Sequence, residues 1–273
     1  MSGMRFGCQT YTWQMSGERY LGELDRIMGV AADAGFEGLE CETQFLGKLR
    51  DPARMKDALA AAAIDFAALT VVFRWNGATE TAEEAAEADF SIDFLAKNFP
   101  DTILNICPLT GSDRSNLAER QQNHLTIVNA IARRAADRGV EATYHPNSEP
   151  GSTCVTADDY AVMLNGLDAE VVGWCPDIYH IRGGDMDPVE TMTTYRSLIN
   201  HIHYSDLDSA LTPQAMGEGD MDFASATRYL RESGYTGWLV VEDHCQRATH
   251  DPDGVTRDNG RFFHAHIAPL ISA

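Results

Sequence analysis

The chain has 273 residues, and 41 Asp+Glu against 21 Lys+Arg leave a formal net charge of −20. That charge repels a phosphate backbone and an anionic membrane surface, which argues against nucleic acid or lipid as a partner. The length is that of one (β/α)8 barrel, so a single domain over 1–273 is expected.

In chain order, a half-apolar strand over 4–11 precedes a helix over 20–34, where Leu21, Leu24, Ile27 and Met28 recur at helical spacing and Gly35 ends the run. The unit then repeats. Strands are predicted over 36–41, 66–72, 102–107 and 140–145, and helices over 52–63, 80–98 and 116–138. Gly139 stands where a glycine past a helix end belongs. A helix over 156–165 opens on Thr156, a strand over 171–175 runs into Pro176 and Asp177, and a helix over 188–200 opens on Pro188. Strands over 201–204 and 238–242 flank a helix over 222–233, and a last helix covers 257–271. Eight alternating units without a long linker predict a closed parallel TIM barrel. A doubly wound sheet is the runner-up, but no G-x-G-x-x-G follows the first strand.

The six cysteines lack a C-x-x-C pair or zinc-ribbon spacing, as expected of reduced thiols in a cytoplasm. No apolar stretch approaches the roughly 20 residues of a membrane span, and the start MSGMRFGCQT has no signal-peptide core.

Four side chains at predicted strand ends, His145, Asp177, His203 and Glu242, are separated by 32, 26 and 39 residues, each gap about a strand plus a helix. In a parallel barrel such positions deliver side chains to one mouth. Two imidazoles and two carboxylates suit a divalent cation, Mn²⁺ first, with Co²⁺ or Zn²⁺ as alternatives. Taken singly, each of the four reads equally well as a helix cap. His201, two residues before His203, shares its face and is packing, a support or a ligand, whereas Asp206, Asp243 and His244 read as loop or supporting groups. Tyr11, Trp13, Phe73 and Trp75 either wall a sugar site or pack the rim.

These residues carry a resemblance. Ala34 to Glu40, Pro176-Asp177-Ile178-Tyr179-His180, His201-Ile202-His203-Tyr204-Ser205-Asp206, 217–223 and 234–242 together resemble the xylose isomerase-like sugar phosphate isomerase and epimerase superfamily over nearly the whole chain. The resemblance implies that Asp177, His203 and Glu242 are metal ligands and that His180 reaches a substrate hydroxyl or carbonyl. Where the family usually places a ligand glutamate, this chain has His145, as inosose dehydratase-like members do. His145 is therefore a ligand or a base, and Glu149 is a substitute ligand, a substrate contact or a solvated loop acid. Ser205 replaces a lysine common among relatives.

The expected chemistry is removal of a proton next to a carbonyl, with Glu242 or His145 as base and the metal stabilising an enediolate. The branch resembled is that of inosose dehydratase and the catalytic subunit of C-glycoside deglycosidases. It implies a lyase or dehydratase acting on a keto-sugar, keto-inositol or 3-keto C-glycoside, as an oligomer or with a small second subunit. Alternatives are a ketose isomerase or 3-epimerase and a metal-free sugar-binding or scaffold barrel. Endonuclease activity, also found in the superfamily, is disfavoured by the charge and by the missing ligands of a three-metal cluster.

Overall fold

Short parallel strands carry the apolar runs seen in the sequence. They are β1 (Arg5–Gln9), β2 (Gly38–Glu42), β3 (Asp65–Phe73), β4 (Ile103–Pro108), β5 (Ala142–Tyr144), β6 (Val172–Trp174) and β7 (Ile202–Tyr204). A small antiparallel hairpin of β8 (Asp206–Leu207) and β9 (Pro213–Gln214) follows, then β10 (Trp238–Val241). This computed structural model describes residues 3–75 and 77–272. The sheet runs in the order β6-β5-β4-β3-β2-β1-β10-β7. The first long strand is thus paired with the last, Gly7 opposite Val240, as an open doubly wound sheet would not have it. By internal contacts the chain divides into two compact units, Met1–Ala67 with Ile202–Ala273, and Ala68–His201.

In the first unit β7, β10, β1 and β2 lie side by side in parallel register. Every residue of β2 and β10 is buried, the pattern of strands covered on both faces. The helix Leu24–Asp33 buries Leu24, Ile27, Met28, Val30 and Ala31, and Gly35 at φ +88° turns the chain out of it. Asp51 caps the helix Pro52–Ala62 by accepting from Ala53 N–H at 2.9 Å, and Asp222 caps Phe223–Glu232 by accepting from Ser225 N–H at 2.9 Å. Gly38 faces Trp238 so closely that an added Cβ would stand 2.4 Å from the indole ring. Ala67, Trp238 and Val240 pack as one apolar cluster at that end of the strands.

In the second unit β3, β4, β5 and β6 are parallel neighbours, with Thr70 opposite Asn105, Asn105 opposite Thr143 and Thr143 opposite Gly173. Capping boxes start both Ala82–Asn98, through Thr81 and Glu84, and Ala157–Gly166, through Thr156 and Asp159. Asp159 also takes a two-pronged ion pair from Arg114, at 2.9 and 2.7 Å.

Boundaries differ from the sequence reading where turn chemistry intervenes. The predicted helix over 20–34 begins only at Leu24, because Gly17–Tyr20 is a 3₁₀ turn and Gly22 has φ +82°. The predicted helix over 188–200 is α only over Pro188–Thr194, then one 3₁₀ turn, Arg196–Leu198. A short helix that periodicity does not reveal, Ile178–Gly183, begins directly after Asp177. The last helix starts earlier, at Pro252 behind the Asp251 cap, and contains a π-helical turn over Phe263–Ile267.

Candidate active site

In the first unit, strand parity gathers the acidic groups. Parallel partners share a face, and Gly7 lies opposite both Gly38 and Val240, which in turn lies opposite His203. Two residues further along each strand the same face carries Gln9, Glu40 and Glu242, and two beyond Glu40 it carries Glu42. All five polar residues, His203 among them, are buried.

His203 stands between two carboxylates. Its Nε2 is 2.9 Å from Glu40 Oε2 and its Nδ1 is 2.7 Å from Glu242 Oε2. Burial pushes the Glu42 carboxyl up to about 8; a hydrogen bond from Gln44 Nε2 at 2.6 Å opposes the shift, and the neighbouring Glu242 and Glu40 add to it. Two carboxylates hold one buried imidazole, with the Glu42 carboxyl near both; an imidazole with carboxylate oxygens is a donor set that fits a divalent cation. Glu40 and Glu42 were not among the residues expected from the sequence. The signal was present in Gly38-Leu39-Glu40-Cys41-Glu42, where acids alternate within an otherwise apolar strand.

The surrounding loops are tied down by acids that the sequence assigned to support. Asp206 accepts backbone N–H bonds from Gly217 at 2.8 Å, Gly219 at 3.1 Å and Met221 at 3.2 Å, drawing the segment after β9 against β8. Asp243 accepts from Cys245 N–H at 2.7 Å and Asn259 Nδ2 at 2.8 Å. Trp13 is fully buried and donates from Nε1 to Asp253 at 2.8 Å, so it packs the rim rather than walling a site. Tyr11 lies against the His244 ring at 4.7 Å.

In the second unit the chain leaving β5 carries His145, Asn147, Ser148 and Glu149. His145 is 3 % exposed, its Nδ1 3.7 Å from Cys107 Sγ at the end of β4, and its ring 5.6 Å from that of His180. His180 Nδ1 lies 2.7 Å from Ser148 Oγ. Asn147 Nδ2 donates to Pro108 carbonyl oxygen at 2.6 Å and ties the loop to β4. Asp177 is fully buried and caps Ile178–Gly183, its Oδ1 accepting from Tyr179 N–H at 2.8 Å. Glu149 is half-buried rather than solvated, and its Oε2 is enclosed without a hydrogen-bond partner among the described residues. Each of the six cysteines is a buried thiol. No helix among the described residues is long and apolar enough to cross a membrane.

Parallel strands joined by helices, with imidazoles and carboxylates at their carboxyl ends, define a barrel of the kind that builds sites at strand ends. The chain belongs to the family described as xylose isomerase-like TIM barrel, which it matches over residues 28–266. It is 24% identical to an inosose dehydratase of Erwinia tasmaniensis over 275 residues, covering 88% of this chain and 89% of that protein. With an inosose dehydratase of Clostridium botulinum (strain Alaska E43 / Type E3) it is 24% identical over 133 residues; there the match covers 42% of this chain and less than half, 44%, of the relative. Among solved structures, the IolI protein with a bound zinc atom superposes with a TM-score of 0.80 at 15% identity, over 99% of this chain and 100% of that one, which shows a shared fold.

Proposed function

We propose that the chain, as one barrel domain over 1–273, is a divalent-metal-dependent lyase of the dehydratase type acting on a keto-inositol or keto-sugar. A 3-keto C-glycoside is the further substrate class that its branch suggests. The observation that carries this reading is the buried His203 held between the carboxylates of Glu40 and Glu242, an imidazole and carboxylates of the kind that hold a divalent cation. His145, Asp177, His203 and Glu242 are each buried and together offer two imidazoles and two carboxylates, the donor types such an ion takes. Inosose dehydratase is the name of relatives aligned with this chain, which supports the dehydratase branch.

In this reading His145, Asp177, His203 and Glu242 hold Mn²⁺, or Co²⁺ or Zn²⁺, and zinc is the ion of the IolI structure. The cation supplies Lewis-acid stabilisation of the charge that develops on the substrate carbonyl oxygen. Glu242 or His145 takes the proton from the carbon next to the carbonyl, and the C–H electron pair moves into the enediolate. Return of that pair expels hydroxide from the neighbouring carbon, and a proton delivered by His180, whose Nδ1 Ser148 holds, converts it to water. Glu149 lies in the same loop as Ser148 and contacts the substrate.

The test is incubation of the purified protein with a keto-inositol in deuterated water, with and without chelator. Elimination that stops with EDTA and returns with Mn²⁺, Co²⁺ or Zn²⁺ is expected. Solvent exchange without elimination would instead assign an isomerase or epimerase. Protein that binds no divalent ion and has no activity that Glu242→Gln changes would be a sugar-binding barrel.

A further inference from the structure

The chain leaving β5 turns back on itself at Glu149-Pro150-Gly151-Ser152. Ser152 N–H donates to the Glu149 carbonyl at 2.9 Å, with Pro150 in the second position and Gly151, at φ +93°, in the third, the pattern of a type II turn. From Gly151 on, three consecutive backbone carbonyls are each taken by a side chain from outside the loop. Gly151 accepts from Arg120 Nη2 at 2.7 Å, Ser152 from Arg114 Nη1 at 2.8 Å and Thr153 from Gln121 Nε2 at 3.0 Å. Arg120 and Gln121 stand near the start of the helix Leu117–Ala136, and Arg114 in the segment that enters it. Arg114 is also committed to Asp159, a member of a capping box. Both arms of the Arg120 fork go to backbone: Nη1 donates to the Asp113 carbonyl at 2.7 Å while Nη2 holds Gly151. Gly111 stands beside this fork, where a Cβ would collide with the guanidinium, and its N–H donates to the same Gly151 carbonyl at 3.2 Å.

Such a restraint has a physical reason. Glu149 is half-buried with its Oε2 enclosed, and an enclosed carboxylate oxygen costs free energy that an unrestrained loop would avoid by turning the side chain to water. We propose that Arg120 is a positioning residue: through the Gly151 carbonyl it holds the turn over 149–152, so that Glu149 stays enclosed and Ser148 Oγ stays 2.7 Å from His180 Nδ1. A guanidinium suits the task, because its planar fork reaches two carbonyls in fixed geometry and its charge strengthens both hydrogen bonds. Arg120 acts through the loop backbone. The functions of Glu149 and His180 rest on the reading proposed above, whereas the restraint is a property of the chain alone.

The experiment reads hydrogen exchange by NMR at single amides of the full-length protein, in wild type, Arg120→Ala and Arg120→Lys. The Ser152 N–H, bonded to the Glu149 carbonyl, and the Cys154 N–H, bonded to Ser152 Oγ at 3.2 Å, are expected to exchange at least about 10-fold faster in Arg120→Ala. The Val155 and Thr156 N–H groups, held by Asp159, should keep their rates. Arg120→Lys should restore part of the protection. With a keto-inositol as substrate, Arg120→Ala should lose about 10- to 100-fold in kcat, and added ethylguanidinium should recover part of it without moving the urea midpoint. Should Arg120→Ala not fold, Gly151→Ala takes its place, because an added Cβ would run into the Gly111 carbonyl and lift the same turn. Unchanged exchange at Ser152 and Cys154, or an equal rise at Val155 and Thr156, overturns the proposal. So does an undiminished kcat in a variant whose turn has loosened. If wild type eliminates nothing from the keto-inositol, the dehydratase reading fails, while the exchange comparison still decides whether Arg120 holds the loop.

Discussion

Asp177 Oδ1 accepts the backbone N–H of Tyr179 at 2.8 Å, so one carboxylate both ends the chain leaving β6 and starts the helix Ile178–Gly183. The cap and the proposed ligand role separate by mutation. Asn is as good an N-cap as Asp, so Asp177→Asn should keep stability within about 0.5 kcal/mol while removing divalent-ion binding; Asp177→Ala should lose the ion and about 1 kcal/mol of stability as well. Urea melts with zinc titration read both, and unchanged zinc affinity in Asp177→Asn would remove Asp177 from the ligand set.

Metal removal should be visible as lost stability, because an ion that binds only the folded chain stabilises it by mass action. At 100 times the dissociation constant the gain is about 2.7 kcal/mol. Calorimetry should give a lower Tm in EDTA than in zinc for wild type and little difference for Glu242→Gln, whose partner His203 Nδ1 lies at 2.7 Å. An equal zinc shift in both proteins would place the ion elsewhere.

Gly38→Ala should destabilise by about 1–3 kcal/mol, because the new methyl would stand 2.4 Å from the Trp238 ring in a packed cluster with Ala67 and Val240. Combined with Trp238→Phe, the cost should fall below the sum of the two single changes. Strict additivity in denaturant melts would mean that the two sites do not meet.

His124, buried in the helix Leu117–Ala136, has its pKa pushed down to about 4, first by burial and then by the Arg120 charge, with the Arg74 carbonyl opposing. The unfolded chain takes up this proton near pH 6.5 and the folded chain only near 4. Between these values the unfolded state binds more protons, so the stability contributed is full above about 6.5 and is lost as pH falls toward about 4. At most it amounts to about 3 kcal/mol. His124→Gln should flatten the pH dependence of stability across that window, and an unchanged slope would exclude His124 as its source.

Strand positions were readable because buried strands need runs such as Trp238-Leu239-Val240-Val241, and helices announce themselves through caps such as Thr81 with Glu84. Lengths were less readable. The helix over Ile178–Gly183 has too few residues for a periodic signal, and the 3₁₀ turns at Gly17–Tyr20 and Arg196–Leu198 obey local chemistry that an apolar pattern does not reveal. His203 and Glu242 were legible as strand-end polar groups and are neighbours in space. Glu40 is legible as part of a motif but its chemistry is not, since a side chain's partner on another strand depends on register.

Residue order alone determined the alternation of strands and helices, the acidic surface charge and the identities of the donor side chains, because these follow from local periodicity and composition. Only tertiary structure decided that Glu40 and Glu242 take opposite nitrogens of one imidazole, that Asp177 is also a cap and that Trp13 belongs to the rim. Each of these depends on pairing between segments distant in the chain, where strand register and the burial of charge, rather than local propensity, select the neighbours.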